Sequence, residues 1–255
     1  MTWEIRKYEV LDSTNLEARR LLGAGAHADR LAVWALHQTQ GRGRLHRDWY
    51  DLPGKSLLVS VAVPAVQGFA AGVLVATSMR AAVVKSGGTG PGLKWPNDLV
   101  YGDRKVGGIL SETFREQGIS GIIAGIGLNV GYKAGELSIA SRLPATSLLI
   151  EEGREWEPEQ LLKGFLEEME GALRRDWEDS LAEYRRNLSY VGEWVRVGED
   201  YSLLGQPASS GKLQGVLEGV DDCGRLLLRV ENRMLVLVSG EITPADWRSS
   251  PNNTM

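Results

Sequence analysis

Residues 105–113 and 119–130 are two strand-length segments separated by a short turn that contains Gly118. Segments of this length on either side of a glycine turn predict an antiparallel β-hairpin. Short apolar or β-branched runs at 31–36 and 57–63 predict two more strands. These strands do not alternate regularly with helices, as they would in a parallel βαβ sheet. The pattern predicts an α+β fold: a mainly antiparallel sheet with helices on one face.

Two helices are predicted in the first hundred residues. In the first, Thr14 and Glu17 have the spacing of a capping box, and Gly23 suits a left-handed C-cap. The second, at 69–85, consists mainly of small apolar residues with few charges. We therefore expect this second helix to be well buried.

The last third of the chain changes from helical to strand-like patterns. Pro158 suits the first turn of a helix, and apolar residues recur at helical spacing over 161–177. After Asn187, strand-like segments follow at 193–197, 213–217, 226–230 and 234–238. Short strands joined by turns predict a compact β-module. We therefore expect a large domain at 1–187, a small β-module at 188–248 and a frayed tail at 249–255.

The composition argues against several functions. The chain has 29 Lys and Arg against 33 Asp and Glu, a net charge of −4, whereas proteins that mainly grip nucleic-acid backbone are usually basic. Its apolar runs fall short of the ~20 residues that cross a membrane, and its start lacks the order of a secretory signal. One cysteine, Cys223, excludes an internal disulfide, and the histidine spacings are not those of a zinc enzyme. We expect a cytoplasmic protein without a dedicated metal site.

The densest chemical signal is the polar segment QTQGRGRLHRDW at 38–49. Gly41 and Gly43 allow the backbone to approach a ligand closely. Arg42 and Arg44 offer forked donors that match carboxylate and phosphate oxygens. Such a loop suits a polyanion, but an exposed basic loop or a patch that touches RNA has the same composition. It lacks the third glycine of a dinucleotide fingerprint and is not a Walker loop.

Three other segments carry polar groups beside predicted helices and strands. KWPND at 94–98 places Lys94 before a tight turn, where its ammonium either points into a cleft or is merely solvated. The polar residues DSTN at 12–15 have two interpretations: they cap the N-terminus of a helix, or they place the helix start against a polar ligand. GIGLN at 125–129 leaves room for a flat ring, and tight sheet packing explains it equally well.

In their order along the chain, these segments resemble the biotin–protein ligase family. The resemblance rests on STN, on GRGR after Gln38, on KWPND, on KVGGIL at 105–110 and on GIGLN, and the closing GEI at 240–242 also fits. It covers nearly the whole chain. It implies a catalytic domain like those of class II synthetases, an antiparallel sheet with helices, and a small C-terminal SH3-like β-barrel.

The resemblance also implies an activity. Members of the family join biotin to one lysine of a carrier protein in two steps. Biotin's carboxylate attacks the α-phosphate of ATP and expels pyrophosphate, and the carrier's lysine then displaces AMP from biotinyl-5′-adenylate. The resemblance thus implies biotin and ATP as substrates, with Mg²⁺. The implied partner is a biotin carboxyl carrier protein, or the carrier domain of a biotin-dependent carboxylase such as acetyl-CoA carboxylase.

Positions within the family's motifs imply the site residues. Lys94 and Arg42 are expected to be catalytic, with Lys94 meeting the carboxylate and the α-phosphate. Contacts with biotin and the adenylate are expected from Ser13, Thr14, Asn15, Gln38, Arg42, Gly43, Arg44 and Lys94. Further nucleotide candidates are Arg47, Trp49, Lys105 and Asn129.

The chain departs from the family's pattern at two points. Many relatives carry a glycine where this chain has His46. We expect this difference to alter the flexibility of the loop, and so how firmly the loop holds the adenylate. No segment before Trp3 corresponds to the DNA-binding winged helix-turn-helix of the repressor members, so we expect a ligase that does not bind DNA. The family contains both monomers and dimers, and the sequence leaves both a monomer and a homodimer open for this chain.

Two other functions compete with this interpretation. A lipoate or octanoate ligase or transferase has the same fold and lysine but no use for ureido-matching groups such as Gln38. Its octanoyl-carrying members can need a nucleophilic cysteine, for which Cys223 is poorly placed in a turn of the small module. A non-enzymatic RNA-binding protein would use the arginine–glycine loop and the β-module, and its binding would be sensitive to salt.

Overall fold

The computed structural model describes residues 3–29, 31–64, 68–116, 118–137, 143–198, 200–206 and 208–245. The end of the predicted β-module, at 246–248, and the predicted tail at 249–255 lie outside these residues. Within the described residues, no helix is both long enough and apolar enough to cross a bilayer.

The first sheet is mainly antiparallel, as predicted. Its described strands are β1 (Glu4–Leu11), β2 (Leu31–Gln38), β3 (Ser56–Pro64), β4 (Gly92–Lys94), β5 (Asp98–Tyr101), β6 (Arg104–Glu116) and β7 (Ile119–Asn129). Their spatial order is β1-β2-β3-β7-β6-β5-β4. Strands β1 and β2 run parallel, and the other neighbouring pairs run antiparallel. The hairpin predicted across Gly118 is confirmed as β6 and β7.

The described helices are α1 (Thr14–Gly23), α2 (Gly68–Lys85), α3 (Leu148–Glu152), α4 (Pro158–Ala172) and α5 (Trp177–Arg186). Pro158 lies in the first turn of α4, as predicted. The apolar residues at helical spacing over 161–177 belong to two helices, because the chain leaves α4 after Leu173 and Asp176 adopts the extended conformation of an N-cap. Apolar residues recur in both helices because α4 and α5 both pack against α2.

Apolar residues of the central strands point to both faces of the first sheet. In β2, Leu31 and Val33 pack against α1, whereas Ala32 and Trp34 belong to the larger core that contains α2 and α4. Successive strand residues point to opposite faces, so α1 lies on one face and α2 and α4 on the other. The prediction of helices on one face is wrong, because a strand with a continuous buried run requires cover on both sides.

The helix α1 starts within the DSTN segment, as predicted, but the capping box of Thr14 and Glu17 and the C-cap at Gly23 are wrong. The N-cap is Ser13, and its side chain makes no capping hydrogen bond. Thr14 uses its backbone N–H and its hydroxyl to bond Gln38 of β2 instead. At the other end, Gly23 is the last helical residue, and the left-handed position is taken by Gly25, with a φ of 94°. Tertiary contacts with β2 thus replace the local capping that the sequence suggested.

The C-terminal part forms a second, antiparallel sheet. Its described strands are β8 (Trp194–Val197), β9 (Asp200–Leu203), β10 (Ala208–Ser210), β11 (Leu213–Val220), β12 (Leu226–Val230), β13 (Arg233–Ser239) and β14 (Ile242–Pro244). Their order is β10-β9-β13-β12-β11-β8-β14. The predicted strands are present as β8, β11, β12 and β13, whereas β9, β10 and β14 were not predicted.

The second sheet packs against helices and turns that belong with the first sheet. Trp95, which follows β4, is almost wholly buried, and its Nε1 donates a hydrogen bond to the carbonyl of Gly224, 3.2 Å away. Trp177 of α5 donates in the same way to the carbonyl of Asp222. Arg47, in the loop that follows β2, binds Glu241 between β13 and β14, so the second sheet lies beside that loop.

Candidate active site

A cavity of about 440 Å³ lies between the start of α1, the loop after β2 and strands β6 and β7. All of the predicted site residues except Lys94 line it. They are Ser13, Thr14, Asn15, Gln38, Arg42, Gly43, Arg44, Arg47, Trp49, Lys105 and Asn129. The fold therefore brings together segments that are up to about half of the chain apart in sequence.

One end of the cavity is a network of hydroxyl and amide groups. Gln38 Oε1 accepts hydrogen bonds from the Thr14 backbone N–H, at 2.7 Å, and from its hydroxyl, at 3.1 Å. Ser60 Oγ lies 2.7 Å from Thr14 Oγ1 and 2.6 Å from Asn15 Oδ1. Asn15 Nδ2 donates to Glu112 Oε2 at 2.6 Å. Because each group holds the next, these side chains are fixed before a ligand arrives.

The floor of the cavity is made of glycines on neighbouring strands. Gly108 of β6 pairs with Gly127 of β7. A Cβ at Gly125 would lie 2.2 Å from Asn15 Oδ1, and a Cβ at Gly127 would lie 2.5 Å from the Trp49 ring. The space that a Cβ would take at these positions is thus occupied by the side chains of Asn15 and Trp49, which pack directly against the glycines. Close packing accounts for these glycines, and room for a flat ring beside the GIGLN segment stays a prediction.

The loop after β2 folds back on itself over the cavity. Trp49 N–H donates to the carbonyl of Gly41 at 2.9 Å, and Gly43 N–H donates to that of Arg47 at 2.7 Å. A Cβ at Gly41 would lie only 2.4 Å from the Trp49 carbonyl oxygen, so this close approach requires glycine. Leu45 at the tip has a φ of 54°. The side chain of His46, the expected departure from the family, lies outside the part of the structure that is described.

Two arginines fasten this loop to other parts of the molecule. Arg44 Nη1 donates to Asn97 Oδ1 at 3.0 Å and to the Gly240 carbonyl at 3.5 Å. Arg47 donates through both Nη atoms to the carboxylate of Glu241. Burial lowers the pKa of the Arg44 guanidinium, which remains protonated at neutral pH. The loop is thus held by the turn after β4 and by the segment between β13 and β14.

Three charged groups meet where β4, β5 and β6 adjoin. Asp98 Oδ1 lies 2.7 Å from Lys105 Nζ, and Asp98 Oδ2 lies 2.7 Å from Lys94 Nζ. Burial alone would raise the pKa of Asp98, but the two ammonium groups outweigh burial and hold this pKa well below its usual range. The carboxylate is therefore ionised, and the three groups together carry one net positive charge.

Lys94 is not placed as the sequence suggested. Its side chain is 1% exposed and lies behind Asp98, outside the cavity lining. The side chain of Lys105 is 22% exposed and lines the cavity. The reason is the hairpin register, which sets Lys94 directly opposite Asp98, so that the carboxylate separates Lys94 from the cavity. Lys105, predicted only as a further nucleotide candidate, presents the ammonium instead.

Sequence reasoning missed several polar residues of the site. Asp51, whose side chain is fully buried, lies 2.9 Å from His37 Nδ1 and accepts the Gln38 N–H, which joins the two ends of the loop. Ser60 stands alone among apolar residues in β3, and that break in the pattern could have marked it. Glu241 lies in the GEI segment that supports the resemblance, but its place beside Arg47 depends on the fold and was not predicted.

Comparison with known proteins assigns the family. The sequence model of the Biotin/lipoate A/B protein ligase family matches residues 8–129. A biotin–[acetyl-CoA-carboxylase] ligase from Paracoccus denitrificans is 31% identical over 243 residues, which cover 91% of this chain and 96% of that protein. The chain belongs to the biotin protein ligase family. The expected resemblance is thereby confirmed.

Further relatives agree with this membership of the biotin protein ligase family. A biotin–[acetyl-CoA-carboxylase] ligase from Mycobacterium tuberculosis is 30% identical over 247 residues, which cover 90% of this chain and 85% of that protein. The solved structure of the biotin protein ligase from Aquifex aeolicus in complex with biotin and ATP is 26% identical and superposes with a TM-score of 0.76. It covers 94% of this chain and 97% of that one. The two-sheet architecture is therefore that of the family.

Proposed function

We propose that this chain is an ATP-dependent biotin–protein ligase. It activates biotin to biotinyl-5′-adenylate with release of pyrophosphate, then transfers biotin to a lysine of a carboxylase carrier domain with release of AMP. The observation that carries the proposal is one cavity that joins a hydroxyl–amide network to a cluster of cationic groups. The relatives named biotin–[acetyl-CoA-carboxylase] ligase cover nearly the whole chain and support the same reaction.

The hydroxyl–amide network suits the ureido ring of biotin. The ring presents a carbonyl acceptor and N–H donors, and hydroxyl and amide side chains offer both functions. Thr14, Asn15 and Gln38 supply these groups above the glycine floor. A fatty acyl chain has no group that can hydrogen-bond this network, so it would displace water from these polar side chains without replacing the lost hydrogen bonds, which costs free energy. This end of the cavity therefore favours biotin over octanoate or lipoate.

The cationic end suits the encounter of a carboxylate with ATP. Two like charges ~4 Å apart repel by about 4 kcal/mol at an effective dielectric near 20. Lys105, Arg42 and Arg44 line the cavity and can offset this repulsion. Lys105 is our choice for the ammonium that meets the biotin carboxylate and the α-phosphate, because its Nζ is held at the cavity wall by Asp98. Fixed charges at the reacting centre stabilise the transition state without reorganisation.

Mg²⁺ is expected to enter with ATP. Among the residues that the structure describes, no three His, Cys, Asp or Glu side chains converge to hold a metal. Of the carboxylates that line the cavity, those of Asp51, Asp98, Glu136 and Glu241 each face a cationic or imidazole partner. The carboxylate of Asp48 accepts a hydrogen bond from the Tyr50 hydroxyl. Mg²⁺ is commonly held by substrate phosphates and water with few protein ligands. We therefore assign most of its ligands to ATP, where it supplies neutralising charge.

The second sheet is proposed to be the family's small SH3-like barrel. Its strands, all antiparallel to their neighbours, follow α5, which ends at Arg186. Glu241 reaches the cavity from this sheet and binds Arg47 of the loop. We propose that this module helps to close the loop over the adenylate. Closure would keep water from a mixed anhydride that hydrolyses readily.

ATP–pyrophosphate exchange tests the proposed function and its main alternative together. The assay is run with biotin, octanoate and lipoate in parallel at equal concentrations. We expect exchange with biotin alone, because only biotin has the ureido ring that the network matches. Exchange only with octanoate or lipoate would assign the chain to a fatty-acyl or lipoyl ligase. No exchange with any of the three acids would contradict adenylate chemistry altogether.

Arg44→Gly is expected to weaken retention of the adenylate. The substitution removes the bond to Asn97, at 3.0 Å, and the longer contact with Gly240, at 3.5 Å, both of which hold the loop closed. The bond to Asn97 is the main loss, and a hydrogen bond to a charged group contributes about 1.5–3 kcal/mol. Release of labelled biotinyl-adenylate should accelerate roughly 10- to 100-fold, and label should appear on lysines of unrelated proteins. Arg44→Lys keeps the positive charge but loses the forked donors, so its release rate should lie between those of the unchanged protein and of Arg44→Gly. Label confined to the carrier, with retention like that of the unchanged protein, would contradict this role.

A further inference from the structure

Lys94 is a buried cation that does not reach the cavity. It ends β4, and Asp98 begins β5 directly opposite, so the hairpin places the ammonium against Asp98 Oδ2 at 2.7 Å. The other oxygen of the same carboxylate holds Lys105 Nζ, also at 2.7 Å. The chain thus keeps two ammonium groups on one buried carboxylate, with only Lys105 facing the cavity.

This arrangement has a charge balance that a simple ion pair lacks. Asp98 with Lys105 alone would be neutral, and the ammonium at the cavity wall would be cancelled by its own partner. Lys94 restores one net positive charge while remaining out of contact with the ligand. Burial of a lysine costs free energy unless a charged partner compensates for the lost water, and Asp98 is that partner here. The low dielectric of the surrounding core strengthens the effect of the Lys94 charge on the cavity.

We infer that Lys94 is a positioning residue that neutralises Asp98, so that Lys105 can present an uncancelled positive charge to the acyl phosphate. The inference rests on the proposed ligase function. It assigns Lys94 an effect on catalysis that passes through Asp98 rather than through contact with the substrate. The hairpin turn between the two residues therefore serves to set the charge of the site.

The test compares Lys94→Met with the double variant Lys94→Met/Asp98→Asn in ATP–pyrophosphate exchange with biotin. Lys94→Met leaves Asp98 and Lys105 as a neutral pair, and we expect exchange at saturating substrate to fall about 100-fold. The double variant also lacks Lys94, but it regains one net positive charge because the carboxylate is gone. We expect it to recover at least tenfold relative to the single variant.

The outcomes separate the inference from its rivals. If Lys94 touched the substrate, or acted only by holding Asp98 in place, the double variant would be no faster than the single one, and that result would overturn the inference. Thermal unfolding is measured for both. If the single variant does not fold, the double variant decides: exchange within tenfold of the unchanged protein supports the inference, and a loss as large as that of Lys105→Met overturns it. An unchanged protein without biotin-dependent exchange overturns the proposed function itself.

Discussion

Lys105→Met is expected to lower the rate of biotinyl-adenylate formation about 1000-fold. Lys105 presents its ammonium at the cavity wall, 2.7 Å from Asp98, and the substitution leaves the carboxylate facing the incoming anions. A unit charge at ~4 Å is worth about 4 kcal/mol at an effective dielectric near 20, which corresponds to roughly three powers of ten in rate. Single-turnover formation of labelled adenylate from biotin and ATP measures the effect.

The fold should survive this substitution. Asp98 retains Lys94 as its partner, and methionine matches the length of the lysine stem. Lys133→Met is the matched control, because Lys133 is exposed and outside the cavity lining. It should form adenylate at the unchanged rate. A folded Lys105→Met variant that forms adenylate within a few-fold of the unchanged rate would show that another group stabilises the reaction.

Gly125→Ala is expected to weaken biotin binding by 10- to 100-fold. The new Cβ would lie 2.2 Å from Asn15 Oδ1 and 3.1 Å from Ser60 Oγ, so the Asn15 amide must move. Movement breaks its bonds to Ser60 and Glu112 and takes the amide away from the position in which it would meet the ureido ring. A buried ureido group without that partner costs about 1–3 kcal/mol of binding free energy. Titration calorimetry with biotin measures the affinity directly.

Gly131→Ala provides the control for this effect. It is the same substitution a few residues further along the chain, but no atom lies within 4 Å of the added Cβ. Its affinity for biotin should match that of the unchanged protein. Equal affinities in the Gly125→Ala and Gly131→Ala variants would mean that biotin's ring does not lie over Gly125 and Asn15.

The sequence was informative where a motif determines its own contacts. The glycines of the loop after β2 predicted a close approach of the backbone to a ligand, which stays a prediction; the close approach in the structure lies within the loop, where Gly41 meets the Trp49 carbonyl. Thr14 and Gln38 were expected to face one ligand, and they bond each other at the cavity wall. In both cases the residue type and its neighbours in sequence restrict which contacts the residue can make.

The roles of the two lysines could not be predicted in the same way. Lys94 and Lys105 each sit in a segment typical of the family, and the choice between them depends on strand register. The register sets Lys94 against Asp98 and leaves Lys105 at the cavity. The contact between Arg47 and Glu241, which are 194 positions apart, is likewise a property of the folded chain alone.

A crystal structure with a non-hydrolysable analogue of biotinyl-5′-adenylate tests the central claim most directly, namely that one cavity holds both substrates. We predict the ureido ring beside Asn15 and Gln38 above Gly125, and the linkage between biotin and phosphate within hydrogen-bond distance of Lys105 Nζ. Lys94 should remain behind Asp98 without touching the analogue. An analogue bound outside this cavity, or one whose phosphate contacts Lys94 instead of Lys105, would contradict the account.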